Sequence, residues 1–156
     1  MNKQHHYQTT IHWTGNRGVG TAGYTSYGRE HTISITGKAE ILSSSDPAFR
    51  GDPARHNPEE LLVSALSACH MLWYLHLCAE AGIIVTAYSD TASGIMAEST
   101  NGGGHFESVT LHPQVRVAPG TDMTLATSLH LVARERCFIA NSVNFPVHHQ
   151  PVLQSG

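Results

Sequence analysis

The chain has 156 residues, enough for one domain with a substantial core, and only 13% of them are charged. Nine Lys and Arg against twelve Asp and Glu give a formal charge of −3. That balance argues against nucleic acid or an anionic membrane as the main partner, since both reward clustered cations.

The segment Tyr7 to Trp13 alternates, with Tyr7, Thr9, Ile11 and Trp13 on one face, and is expected to form a strand. A turn at 14–18 leads into Val19 to Tyr27, which is β-prone, and a second turn at 28–30 leads into a strand from His31 to Thr36. Together these predict a small antiparallel meander. Ser43 to Arg55, with two Asp-Pro pairs and a glycine, has the composition and length of an ordered functional loop.

Asn57 to Gly82 is the longest apolar stretch and carries helix punctuation at both ends. Asn57 suits the N-cap, Pro58 the first turn, Glu60 the return arm of a capping box, and Gly82 the C′ position. His70, His76 and Glu80 interrupt the stretch, which argues against a membrane span. Beyond it, Ile84 to Met96 and Phe106 to Val117 read as two strands joined by Asn101-Gly102-Gly103-Gly104. Thr121 or Asp122 can cap a second helix ending near Arg136. A helical turn at 139–143 and a last strand over Val147 to Leu153 complete the order. Strands, long helix, strand pair, helix and strand make an α+β fold in a single domain, 1–156.

Leu61, Leu62, Leu66, Leu72, Trp73 and Leu75 occupy all sides of the long helix rather than one stripe. A helix apolar all round needs cover all round. So few other elements cannot supply it, which predicts a homodimer with the central helices near the two-fold axis.

The three cysteines, an odd number without a visible secretion signal, point to a soluble, cytoplasmic protein with reduced thiols available for chemistry. Cys69 lies mid-helix, far from any help from the helix N-terminus. An ordinary thiol is only a few per cent ionised at neutral pH, and lowering its pKa by about two units needs roughly 2.7 kcal/mol of preferential stabilisation of the anion. A buried arginine held by a carboxylate can provide it; Arg17, on the glycine-rich turn, and Glu59 are the candidates. Ten residues separate Glu59 from Cys69, about 15 Å along an unbroken helix. Either the helix breaks near Glu59 or the carboxylate beside Cys69 belongs to a second copy, and the burial argument favours the second. Cys78 is about half a turn out of phase with Cys69 and reads as packing. The His5-His6 and His148-His149 pairs read as surface residues, and no ligand spacing supports a metal site.

Asn57-Pro58-Glu59-Glu60-Leu61, Ala68-Cys69 and Ala79-Glu80-Ala81-Gly82, preceded by Trp13, Gly15 and the run Arg17-Gly18-Val19-Gly20-Thr21, resemble the motifs of the OsmC/Ohr family in order and spacing. Cys137, 68 residues after Cys69 and following a helix, stands where that family keeps a second cysteine. The resemblance implies an intertwined α+β homodimer, its antiparallel sheets wrapped around a long buried helix. It implies a thiol-dependent peroxidase of organic hydroperoxides without metal or other cofactor, recycled by an external dithiol. Cys69 is then the peroxidatic nucleophile, Cys137 the resolving thiol, and Arg17 with Glu59 the activating pair. Leu66, Met71, Leu72, Trp73 and Phe138 are the expected apolar surround of the substrate. His70 and Phe138 depart from the family pattern beside each cysteine, which keeps open a binding or stress-response module of the same fold without turnover. Hydrolysis by Cys69 with His70 is the weaker reading, because neighbouring side chains on a helix point about 100° apart.

Overall fold

The structure, a computed structural model, describes residues 3–156, and the chain divides into two compact units, Met1–Leu61 and Leu62–Gly156. In the first, β1 (Thr10–Trp13), β2 (His31–Ser34) and β3 (Ile41–Ser43) form an antiparallel sheet in the order β1-β2-β3. The expected strand over Val19 to Tyr27 is not there; that stretch is a series of turns. The cause is local. Asn16 accepts hydrogen bonds on its side-chain oxygen from the N–H groups of Gly18 (2.9 Å) and Gly20 (3.1 Å). Both glycines hold positive φ, which no extended strand tolerates. The third strand of the meander is Ile41–Ser43 instead. The loop that follows is ordered: Asp46 caps a one-turn 3-10 helix at Pro47–Phe49, and the Ser44 hydroxyl accepts from the Asp52 N–H at 3.1 Å.

The long helix α1 (Pro58–Glu80) forms where its caps place it. Asn57 Oδ1 accepts from the Glu60 N–H at 2.8 Å while Glu60 Oε2 accepts from the Asn57 N–H at 3.2 Å, a complete capping box. At the other end Gly82 N donates to Ala79 O and Ile83 N to Cys78 O, with Gly82 at φ 71°; this is the Schellman closure that only glycine enters without strain.

In the second unit the two expected strands after α1 are four. β4 (Val85–Asp90) pairs with β7 (Pro113–Val117), and β5 (Ser93–Glu98) pairs with β6 (Gly104–Leu111). The ladder changes sheets at 91–92 and at His112 because Asp90 gathers both sides of the corner. Its carboxylate accepts from the Ser67 hydroxyl at 2.5 Å and from the His112 N–H at 2.7 Å. The terminal strand likewise divides into β8 (Val147–His149) and β9 (Val152–Ser155), each added in parallel to one sheet. These two sheets are therefore mixed rather than purely antiparallel. Between them in sequence, α2 (Met123–Arg136) is capped by Asp122, whose side chain accepts from the Leu125 N–H. The single turn after it covers Ala140–Ser142.

Two apolar clusters hold this unit. Leu66 packs with Val109, Leu111 and Val147 on the β5-β6-β8 side; Tyr74, Leu77 and Cys78 pack with Val115, Val117, Ala126 and Ala133 on the β4-β7-β9 and α2 side. Leu66 is 1% exposed, so Leu66→Ala is expected to cost about 2–5 kcal/mol, read as a lowered urea midpoint. Burial all round α1 does not occur within one chain. Its buried residues are Leu66, His70, Tyr74, Leu77 and Cys78, a single face, while Ser64, Ala68, Leu72 and His76 form an exposed stripe at four-residue spacing.

Candidate functional site

Cys69 projects from the middle of α1 and is half-buried; Cys137 forms the C-cap of α2 and is 1% exposed. The fold brings these two thiols, 68 residues apart, side by side. Burial first, and then the neighbouring Cys69, raise the Cys137 pKa above the ordinary thiol value, partly offset by the backbone N–H groups of Ala140 and Ile139. Ala140 N lies 3.4 Å from Cys137 Sγ. Both thiols are free. The pair therefore joins a half-buried cysteine to a buried one whose thiol keeps its proton at neutral pH. Next to them Trp73, one turn after Cys69, meets Phe138 edge-to-face at 5.6 Å, which ties the two cysteine-bearing segments together.

Arg17 and Glu59 belong to the first unit, the two thiols to the second. Arg17 is exposed, and among the described residues its ion pair is a 4.0 Å approach to Glu30. Glu59 makes no ion pair among the described residues, and its Oε2 is buried without a hydrogen-bond partner. The helix carrying Glu59 and Cys69 is unbroken, so the two stand about 15 Å apart along its axis. The expected apolar surround is also distributed differently. Leu66 is sealed in the core, and Met71 lines a groove with Val63, Ser64, Ser67 and Ala68. Leu72 and Trp73 border a separate shallow groove with His76, and Phe138 is largely exposed.

Cys78 is buried among the residues that pack α1, and burial raises its pKa, with a hydrogen bond to Tyr74 acting the other way. It is a packing residue, as its phase on the helix implies.

One cluster was not visible in the sequence. His70 on α1, His130 on α2 and His149 on β8 meet inside the second unit. His70 Nε2 lies 3.0 Å from His130 Nδ1, the His70 and His149 ring centroids are 4.3 Å apart, and His130 stacks on Tyr74 at 3.8 Å. All three are held neutral. Burial and the neighbouring imidazoles push His70 down to about 3. Burial and His149 push His130 down to about 4, and burial and Arg134 bring His149 to about 4 against an upward pull from Asp90. The only sequence signal was that His70 and His130 fall on the apolar faces of their helices, where a histidine must find a polar partner.

The model of the OsmC-like protein family matches residues 51–151. The chain belongs to the OsmC family. No curated protein matches the sequence. Among solved structures, an OsmC-like protein of unknown function from Vibrio cholerae is 31% identical, with a TM-score of 0.83 over 96% of this chain and 100% of that one. An organic hydroperoxide resistance protein from Elizabethkingia anophelis is 20% identical, with a TM-score of 0.70 over the whole of both chains. An organic hydroperoxide resistance protein from Legionella pneumophila, also described as a predicted redox protein, is 19% identical, with a TM-score of 0.67 over 97% of this chain and 99% of that one. At those identities the last two OsmC relatives share the fold.

Proposed function

We propose that this OsmC protein is a thiol-dependent peroxidase of organic hydroperoxides, working in the cytoplasm as a homodimer in which each chain, 1–156, is one OsmC-like domain. The observation that carries the reading is the adjacency of a half-buried Cys69 to a buried, protonated Cys137. The Cys69 thiolate attacks one oxygen of the hydroperoxide, the O–O bond breaks, and the alkoxide leaves with a proton as the alcohol. Cys69 is then a sulfenic acid. The Cys137 sulfur displaces its hydroxyl, which leaves with the Cys137 proton as water, and the Cys69–Cys137 disulfide forms. An external dithiol reduces that bond by exchange and restores both thiols.

In this reading Arg17 and Glu59 act across the dimer. The Glu59 oxygen without a partner and the loosely held Arg17 are each incomplete within one chain, and a second copy completes them beside Cys69. The exposed stripe of Ser64, Ala68, Leu72 and His76 is the face of α1 that a second copy covers.

Intact mass after one equivalent of tert-butyl hydroperoxide tests the scheme. The protein is expected to lose two hydrogens, mapped to a Cys69–Cys137 bond. A stable gain of one oxygen with Cys137 still open to alkylation under denaturing conditions would reject Cys137 as the resolving thiol.

A further inference from the structure

The histidine cluster borders a cavity of about 880 Å³ between α2 and the β8–β9 segment. His130, Arg134, Thr127 and Leu131 line it from the helix, and His149 and Gln150 from the opposite side. Neither cysteine of the thiol pair is among its lining residues. Its volume is that of a small-molecule site.

Three features define what fits. The first is unsatisfied hydrogen-bonding capacity: His130 Nε2 and His149 Nδ1 are buried and without partners, as is His70 Nδ1 behind them. Buried polar atoms in this state are costly, and three in one contiguous cluster call for a ligand or a bound water. The His70–His130 bond also makes the wall adaptable. When His70 Nε2–H donates, His130 Nε2 carries a proton; when His130 Nδ1–H donates instead, His130 Nε2 is an acceptor. The second feature is charge. Arg134 is the ionised group of the wall, no carboxylate lines the cavity, and Arg134 has no ion pair among the described residues. The third is an apolar flank, where Leu131 is 63% exposed.

A metal does not meet this description. Two of the ring nitrogens are used on each other, and no group of three metal-type ligands converges among the described residues. A phosphate dianion would face a single guanidinium, with His130 and His149 held neutral beside it.

We propose that this cavity is a second ligand site, separate from the thiol pair, that takes a small organic monocarboxylate. The carboxylate pairs with Arg134. The rest of the ligand lies against the His130 and His149 side of the wall, and its hydrocarbon rests on Leu131.

The test is a library of fragment-sized carboxylic acids with their matched primary amides, added to the 15N-labelled protein. Long-range imidazole NMR reads the ring nitrogens, and backbone shifts read the rest. Binding acids are expected to shift the His130 and His149 ring signals and the backbone of 127–134, to bind several-fold better than their amides, and to do so equally in Cys69→Ser. Arg134→Gln is expected to weaken them roughly tenfold. Arg136→Gln, which removes the same charge from a side chain lying 5.8 Å from the Trp73 ring and outside the cavity, leaves affinity unchanged. The proposal is overturned if no acid moves the His130 and His149 rings, if acids and amides bind alike, or if the shifts centre on Cys69 and Cys137.

Discussion

Cys69→Ser is expected to reduce consumption of cumene hydroperoxide in the presence of a dithiol by about 10³-fold or more, the scale on which losing a nucleophile acts. A serine hydroxyl at this position has neither the acidity nor the polarisability to attack an O–O bond, and no other sulfur takes its place. Cys137 is sealed at 1% exposure and holds its proton; Cys78 is sealed in the packing of α1 against β7 and α2. The companion variants separate the roles. Cys137→Ser leaves the first attack intact, so one equivalent of peroxide is still consumed rapidly. Without a resolving thiol the sulfenic acid persists and proceeds to sulfinic acid with excess peroxide, and sustained turnover falls. Cys78→Ala leaves turnover unchanged and lowers only stability. The measurement is peroxide loss with time for the three variants side by side. Equal rates for wild type and Cys69→Ser would end the peroxidase reading.

What could be read from the chain follows from how local each signal is. The α1 caps are written within a few residues, so Asn57, Glu60 and Gly82 placed the helix correctly. Cys69 was singled out for a similar reason: a polarisable nucleophile stands out in an apolar helix. Its nearness to Cys137 is long-range, and only the family resemblance implied it. Strands were misjudged wherever a side chain overrode alternation. Asn16 gathers two glycine N–H groups and turns 19–27 into turns. Asp90, bonded to Ser67 and to the His112 N–H, divides one long ladder between two sheets. The histidine cluster was illegible because its members lie on three elements separated by 60 and 19 residues, and no spacing rule joins them. The arginine–carboxylate pair is the opposite case. Its members are named by motif, yet one chain leaves Arg17 with Glu30 and the Glu59 oxygen without a partner.

Acid is expected to unfold this protein more steeply than its carboxylates alone explain. His70, His130 and His149 are held at about 3, 4 and 4, below the ordinary histidine value of 6.5. A folded-state pKa below the unfolded one means that the unfolded chain binds more protons between the two values. Stability from these groups is therefore complete above pH 6.5, falls as pH drops, and stops falling once the folded rings also protonate near 4. Between pH 6 and pH 5 the buried His70 and His130 each contribute a loss of about 1 kcal/mol and the partly exposed, better screened His149 less, so the three together remove about 2–3 kcal/mol. The neighbours do not rescue the charge. Tyr74 stacks on His130, Arg134 and His148 lower His149 further, and Asp90 with the Val147 backbone favours an imidazolium there without restoring the ordinary value. Urea titrations followed by tryptophan fluorescence at pH 6 and pH 5 measure the loss. Calorimetric unfolding at pH 5 in buffers of different ionisation heat should show uptake of about three protons that the carboxylates do not supply. If the imidazole resonances of His70, His130 and His149 titrate near 6.5 in the folded protein, the cluster is open to water and the predicted slope disappears with it.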